Sequence, residues 1–209
     1  MTAVPFDAAA PNDWQETSLG KKFSHQFGYG KLNAYAIVEA AKTWQNFNPQ
    51  AWYFSPWIHV NHSILQSARL RLTSAFEVTA EAIQNANLKR VEHVTVTMSI
   101  KHYHRRGNIS VELKSPNGIT SHVATTRPRD EVTVGYNWTF MSVAHWGEDG
   151  IGQWTVIVKV ASRPNKNGTF TDWRLKLYGE AIDGANQALL PLPTEIDDAY
   201  HKEEADNKA

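Results

Sequence analysis

The sequence predicts a mainly β protein, an antiparallel jelly-roll barrel or sandwich preceded by one short helix. Three observations predict it. From about residue 70 onward apolar residues recur at every second position, the period of a strand with one buried face. The runs are short, turn residues separate them, and no helical stretch lies between them to carry a parallel crossover. Most of the eight tryptophans stand in step with Val, Leu or Phe in strand register, where aromatic area serves a core.

Residues 1–20 are turn-rich, with Pro5, Pro11, Asn12 and Asp13. The stretch Gly28–Trp44 then predicts a helix over about 31–45. Asn33 can cap it, and Tyr35, Ile37, Val38, Ala41 and Trp44 fall at mostly helical spacing. It ends before Asn48-Pro49. Ala51–Val60 is dense in aromatics but holds Pro56, which confines it to an edge strand or an extended connector. In Arg90–Ile100, the apolar Val94, Val96, Met98 and Ile100 alternate with Thr95, Thr97 and Ser99. Ile109, Val111 and Leu113 repeat the pattern and lead to a turn at Ser115–Gly118. Ser121–Thr126, Trp138–Trp146, Trp154–Val160 and Asp172–Gly179 are the remaining strands, the last entered through a turn at Asn165, Asn167 and Gly168. Beyond Ile182 the chain becomes Pro-rich and then charged, a composition that predicts disorder.

The chain thus divides into three units: residues 1–48, too small to hold a core alone, a β domain over 49–182, and a disordered tail over 183–209. The predicted core consists of Val94, Val96, Met98, Ile100, Trp138, Phe140, Trp146, Trp154, Val156, Val158, Trp173, Leu175 and Leu177. Phe23, Phe27, Tyr29 and Trp44 need a surface to pack on, either the β domain or a further body, and an interface with a further body is the expectation. Trp52, Tyr53, Phe54 and Trp57 are the expected junction with such a body, as dense aromatics in a segment without its own core.

Composition excludes several functions. With 21 basic and 21 acidic residues the formal charge is zero, so no global field holds a polyanion and a nucleic-acid role is disfavoured. The absence of cysteine removes disulfides, thiolate nucleophiles and most structural zinc sites. No run of eighteen or more apolar residues is present, so no helical membrane span is expected. The stretch MTAVPFDAAAPNDW has no basic region followed by a long apolar one, so no secretory signal is read there. Four N-x-S/T sequons stand at Asn61, Asn108, Asn137 and Asn167. Asn137, followed by Trp138 in an apolar run, reads as structural; Asn61, Asn108 and Asn167 are the candidate glycosylation sites and point to a luminal origin.

Candidate chemistry is thin. His145 in AHWGED, with Glu148 and Asp149 close by, is the tempting base for a hydrolase, but no serine lies in a nucleophile context such as G-x-S-x-G. A histidine at a strand end packing on Trp146 accounts for it better. His59 with His62, and His102 with His104, have metal-ligand spacing but no third or fourth ligand nearby, so surface histidines are expected. Glu148-Asp149 lacks the alternating ligands of a calcium loop. Gly28-Tyr29-Gly30 lacks the third glycine and the preceding strand of a phosphate loop. Lys89-Arg90 and Arg105-Arg106 read as exposed strand ends.

Several blocks carry a resemblance. KRVEHVTVTMSI, RRGNISVELKSPNG, NWTFMSVAHWGEDGIGQWTVIV and DWRLKLYGEA resemble the P domain of the kexin/furin proprotein convertases, with wording closest to fungal kexin. DWQETSLGKKFSHQFGYGKLNAYAIVEAAKTW (13–44) is similar to the last stretch of the subtilisin-like catalytic domain that precedes it. Order and spacing agree over about residues 13–182.

The resemblance implies a jelly roll that packs on a catalytic domain, normally in cis, and that this domain needs for folding. It implies a calcium-dependent serine endopeptidase cutting after paired basic residues in the late Golgi, with calcium a property of the whole enzyme and no cofactor in this chain. No position matches the family's catalytic Asp, His and Ser motifs, so no catalytic residue is assigned. The chain is expected to be a fragment or truncated product, inactive alone, that stabilises the catalytic domain. Two alternatives remain: a free-standing binding module for sugar or protein, and a hydrolase using His145.

Overall fold

The structure, a computed structural model, describes residues 14–64, 71–101, 105–133, 135–161 and 168–190. In chain order come β1 (Gln15–Glu16), β2 (Lys22–Phe23), α1 (Ala34–Ala41), β3 (Gln50–Phe54), β4 (Ile58–Ser63), β5 (Arg71–Val78) and α2 (Ala80–Asn85). After these come β6 (Leu88–Lys101), β7 (Ile109–Lys114), β8 (Thr120–Ala124), β9 (Tyr136–Ser142), β10 (Gly152–Val160) and β11 (Thr169–Ala181). One antiparallel sheet runs β5-β10-β7-β8. The other runs β3-β11-β6-β9, with β4 also pairing β11. Because Pro56 interrupts the Ala51–Val60 stretch, β3 and β4 form one broken edge along β11.

The two-residue period closes the sandwich. Val94, Val96, Met98 and Ile100 of β6 are buried beside Trp173, Leu175 and Leu177 of β11. Trp154, Val156 and Val158 of β10 join the same cluster from the other sheet. Fully burying a side chain of this kind contributes roughly 1.5–3 kcal/mol. Both buried indoles also satisfy their N–H groups: Trp173 Nε1 donates to Ser74 Oγ at 2.9 Å and Trp154 Nε1 to the Gly150 carbonyl at 2.9 Å.

Three features depart from expectation. Trp138 is not core: it is 63 % exposed although it stands opposite buried Met98. β9 is the last strand of its sheet, so an inward-facing side chain there runs out of opposing sheet to pack on. Phe140, two residues on, is only partly buried, and Trp146 is half-buried because the strand stops at Ser142 and a turn succeeds it. The tail expected to be disordered from residue 183 begins with an irregular stretch that is tied to the domain. Asn87, in the left-handed region at φ 55°, donates from Nδ2 to the Asp183 carbonyl and to Gln187 Oε1 at 2.8 and 2.9 Å. The rest of the predicted tail, 191–209, and the expected turn at 165–167 lie outside the described residues.

The helix is shorter than 31–45. Asn33 Oδ1 accepts from Ala36 N at 3.0 Å, as a cap should, but α1 ends at Ala41 and buries no residue. Eight residues without tertiary packing have nothing to propagate a longer helix.

Candidate docking surface

The segment ahead of the sandwich divides into a docked part and an uncovered part. Gln15 clasps β8, donating from Nε2 to the Thr120 carbonyl and accepting from Thr120 N, both at 2.7 Å. Phe23 is buried with Ile119 and Ala144. The Tyr29 hydroxyl donates to the Val143 and Ala144 carbonyls at 3.0 and 3.2 Å, and its ring meets Trp146 edge-on at 5.9 Å. Burial pushes the Tyr29 phenol up to about 12, with Glu148 adding to the rise and the Trp146 backbone N–H opposing it. Leu19 covers Gly147, whose φ of +87° and contact with the Leu19 side chain leave no room for a Cβ. Phe23 and Tyr29 were expected to face a further body; the β domain takes them instead, because the turn after β9 presents carbonyl acceptors and an apolar hollow.

The stretch from Leu32 to Phe47 is uncovered. Leu32, Tyr35, Ile37, Val38, Trp44 and Phe47 are all exposed, Tyr35 at 76 %. Phe27 is exposed and stacks on Trp14 at 6.1 Å, while Trp44 meets Phe47 edge-on at 5.2 Å. Strand alternation splits the four-aromatic block Trp52 to Trp57. Tyr53 turns inward and packs, partly buried, against the core. Trp52 and Phe54 share the outer face with Tyr178, and Arg174 lies 5.6 and 5.9 Å from the Phe54 and Trp57 rings.

His145 and Glu148 have no route to a substrate. His145 is 0 % and Glu148 1 % exposed, and the imidazole meets Trp154 edge-on at 5.0 Å rather than packing on Trp146. Ser115, which sequence reasoning missed, donates to Glu148 Oε1 at 2.9 Å, and His145 Nδ1 lies 3.5 Å from the same oxygen. Asp149 is exposed and accepts from Ile151 N at 3.0 Å. A buried cluster of this kind orders the turn after β9.

The remaining candidates resolve into surface pairs. His59 Nδ1 lies 2.6 Å from Asp172 Oδ1, and His62 is exposed on the same strand; His102 and His104 lie outside the described residues. Among the described residues no group of three or more His, Cys, Asp or Glu could hold a metal ion. Lys89 and Arg90 are not free strand ends: both converge on buried Glu180, at 3.5 and 2.7 Å. Arg105 pairs with Glu131, and Arg106 joins Arg127 on Asp130. Arg106, Arg127, Asp130, Trp138 and Phe140 line a cavity of about 290 Å³ that no sequence signal marked. Of the sequons, Asn61 and Asn137 are exposed, Asn108 is half-buried in a 3-10 turn, and Asn167 lies outside the described residues. Asn137 was expected to be structural; its side chain leaves an edge strand for solvent instead.

Two antiparallel sheets closed over one core, with a hairpin clasped to the end of β8, define an antiparallel β-sandwich domain. Residues 91–177 match the family described as proprotein convertase P-domain. The chain is 43 % identical over 186 residues to kexin of Saccharomyces cerevisiae, covering 88 % of this chain and 22 % of that protein. It is 44 % identical over 198 residues to a dibasic-processing endoprotease of Schizosaccharomyces pombe, covering 92 % and 28 %. Against human furin it is 35 % identical over 185 residues, covering 88 % and 22 %. The fold is also that of part of a serine protease of Aeromonas sobria, at a TM-score of 0.63 and 19 % identity, covering 80 % of this chain and 33 % of that one. The β-sandwich of this chain is a kexin-like proprotein convertase P domain. The chain spans about a quarter of the length of these relatives.

Proposed function

We propose that this chain serves a kexin-like, calcium-dependent serine endopeptidase that cuts precursors after paired basic residues in the late Golgi. Its own task is to fold as a closed P domain and to stabilise a subtilisin-like catalytic domain. The observation that carries this is α1, an apolar helix with no buried residue standing beside a sandwich whose own core is complete. Such a helix fits as one element of a larger α/β body. The kexin, furin and dibasic-processing relatives supply the reaction class.

A chimera tests it. The matched residues of the yeast kexin are replaced by those of this chain, and cleavage of a paired-basic fluorogenic peptide is assayed with calcium. Retained cleavage, lost on Val38→Asp or Tyr35→Asp in α1, is the expected result. A chimera that is secreted and folded yet inactive, while the isolated chain binds an oligosaccharide, would favour a free-standing binding module.

A further inference from the structure

We propose that Asn61 and Asn137 are a pair of N-glycosylation sites that shield the two free edges of the five-stranded sheet, and that Asn108 is not modified. The inference rests on the proposed secretory setting. Asn61 lies on β4, along one flank of the sheet, and Asn137 on β9, along the other. Both are exposed, and each begins an intact sequon, Asn61-His62-Ser63 and Asn137-Trp138-Thr139. A free edge offers a row of unpaired N–H and C=O groups that invites a second strand, and a bulky hydrophilic group beside it blocks that approach.

Local geometry favours both positions. Asn61 adopts φ 48° and is exposed where the β4–β11 register shifts between Phe170 and Asp172, as at a bulge. Asn137 stands opposite Ser99, and alternation puts it on the outer face with Thr139, away from Trp138. Asn108, by contrast, sits in the 3-10 turn behind buried Gly107, and its backbone bonds to Arg105 and Ala161. A glycan there would have to displace that turn.

The chemistry needs one co-reactant, a lipid-pyrophosphate-linked oligosaccharide. The Asn amide nitrogen forms a bond to the anomeric carbon, the anomeric C–O bond to the pyrophosphate breaks, and one amide proton leaves with the lipid pyrophosphate as leaving group. Glycans on both flanks also restrict where a catalytic body docks. They leave it the end of the sandwich that carries α1 and exclude strand addition at β4 or β9.

The test directs the full chain through a eukaryotic secretory pathway behind a cleavable leader. Secreted material is treated with peptide-N-glycosidase in heavy-oxygen water, and labelled Asp is mapped by mass spectrometry. Label at Asn61 and Asn137 and none at Asn108 is expected, with Ser63→Ala and Asn137→Gln each removing one step on a gel. Ser63→Ala spares the left-handed Asn61, so loss of label there reports the sequon and not the bulge. A folded, secreted chain unlabelled at either Asn61 or Asn137, or labelled at Asn108, overturns the proposal. A native chain confined to the cytosol, alongside a leader-directed form labelled at both sites, would sink the secretory reading and leave the sites standing.

Discussion

His145 Nδ1 lies 3.5 Å from Glu148 Oε1, and neither side chain reaches solvent. The same carboxylate oxygen accepts from Ser115 Oγ, while the Glu148 backbone bonds Val91 of β6. Among the described residues neither imidazole nitrogen has a hydrogen-bond partner, and Glu148 Oε2 has none. The cluster therefore ties the β7–β8 turn, the turn after β9 and the start of β6 into one unit at the end of the sandwich.

Cutting that unit should be costly. Glu148→Ala leaves the Ser115 hydroxyl and the imidazole buried without their carboxylate, an expected loss of about 2–4 kcal/mol. Glu148→Gln keeps an acceptor for Ser115 and should lose about 1 kcal/mol. Urea denaturation of the isolated chain measures both. Equal losses would mean that the charge and not the hydrogen bond matters.

The two tryptophans opposite β6 and within β11 should separate sharply. Trp173→Ala empties a fully buried site and orphans the Ser74 hydroxyl, for an expected loss of about 3–5 kcal/mol. Trp138→Ala removes a largely exposed ring and should cost under about 1 kcal/mol. A Trp138→Ala loss as large as that of Trp173→Ala would return Trp138 to the core.

These residues show what the sequence makes legible. In β6 and β11 the alternation is unbroken, so period alone names the inward residues. β5 escapes a sequence reading because Ser74 breaks the inward set of Leu72, Phe76 and Val78, and it is there to receive the Trp173 indole. α2 is a single short turn, capped by Thr79 Oγ1 accepting from Ala82 N at 3.1 Å, too brief to show a helical period. Alternation tells which way Trp138 faces but not how far the opposite sheet extends. The docking of Phe23 and Tyr29 joins segments more than ninety residues apart, and no local pattern encodes it. Exposed α1 is the reverse case, since its apolar spacing is legible and its missing cover is not.

Glu180 should set part of the acid limb of stability. Burial alone would raise its pKa, but the Asn48 N–H, Arg90 and Lys89 outweigh that and hold it below the ordinary value of 4.5. A carboxyl lowered on folding stabilises fully above its unfolded pKa, and the contribution fades as pH falls through the folded value. Glu180→Gln should therefore lose about 1–3 kcal/mol at pH 7, with the gap to the unsubstituted chain closing below about pH 4. Urea midpoints across that range decide it; a gap that persists into strong acid would assign the effect to packing.

Tyr29 should govern the alkaline side. Its phenol is pushed up to about 12 on folding, against about 10 in an unfolded chain. Between those values the unfolded state ionises first, so stability present at neutral pH is lost as pH rises from about 10 toward 12. Tyr29→Phe keeps the ring against Phe23 and Trp146 but loses the bonds to the Val143 and Ala144 carbonyls, costing about 1 kcal/mol at pH 7. Tyr53, whose phenol burial also raises, contributes equally to both chains and cancels in the comparison. Urea midpoints of the two proteins should thus converge above about pH 10. A constant difference up to about pH 11.5 would show that the hydroxyl ionises as freely in the folded chain as in the unfolded one, and that the 14–29 segment does not hold it against β9.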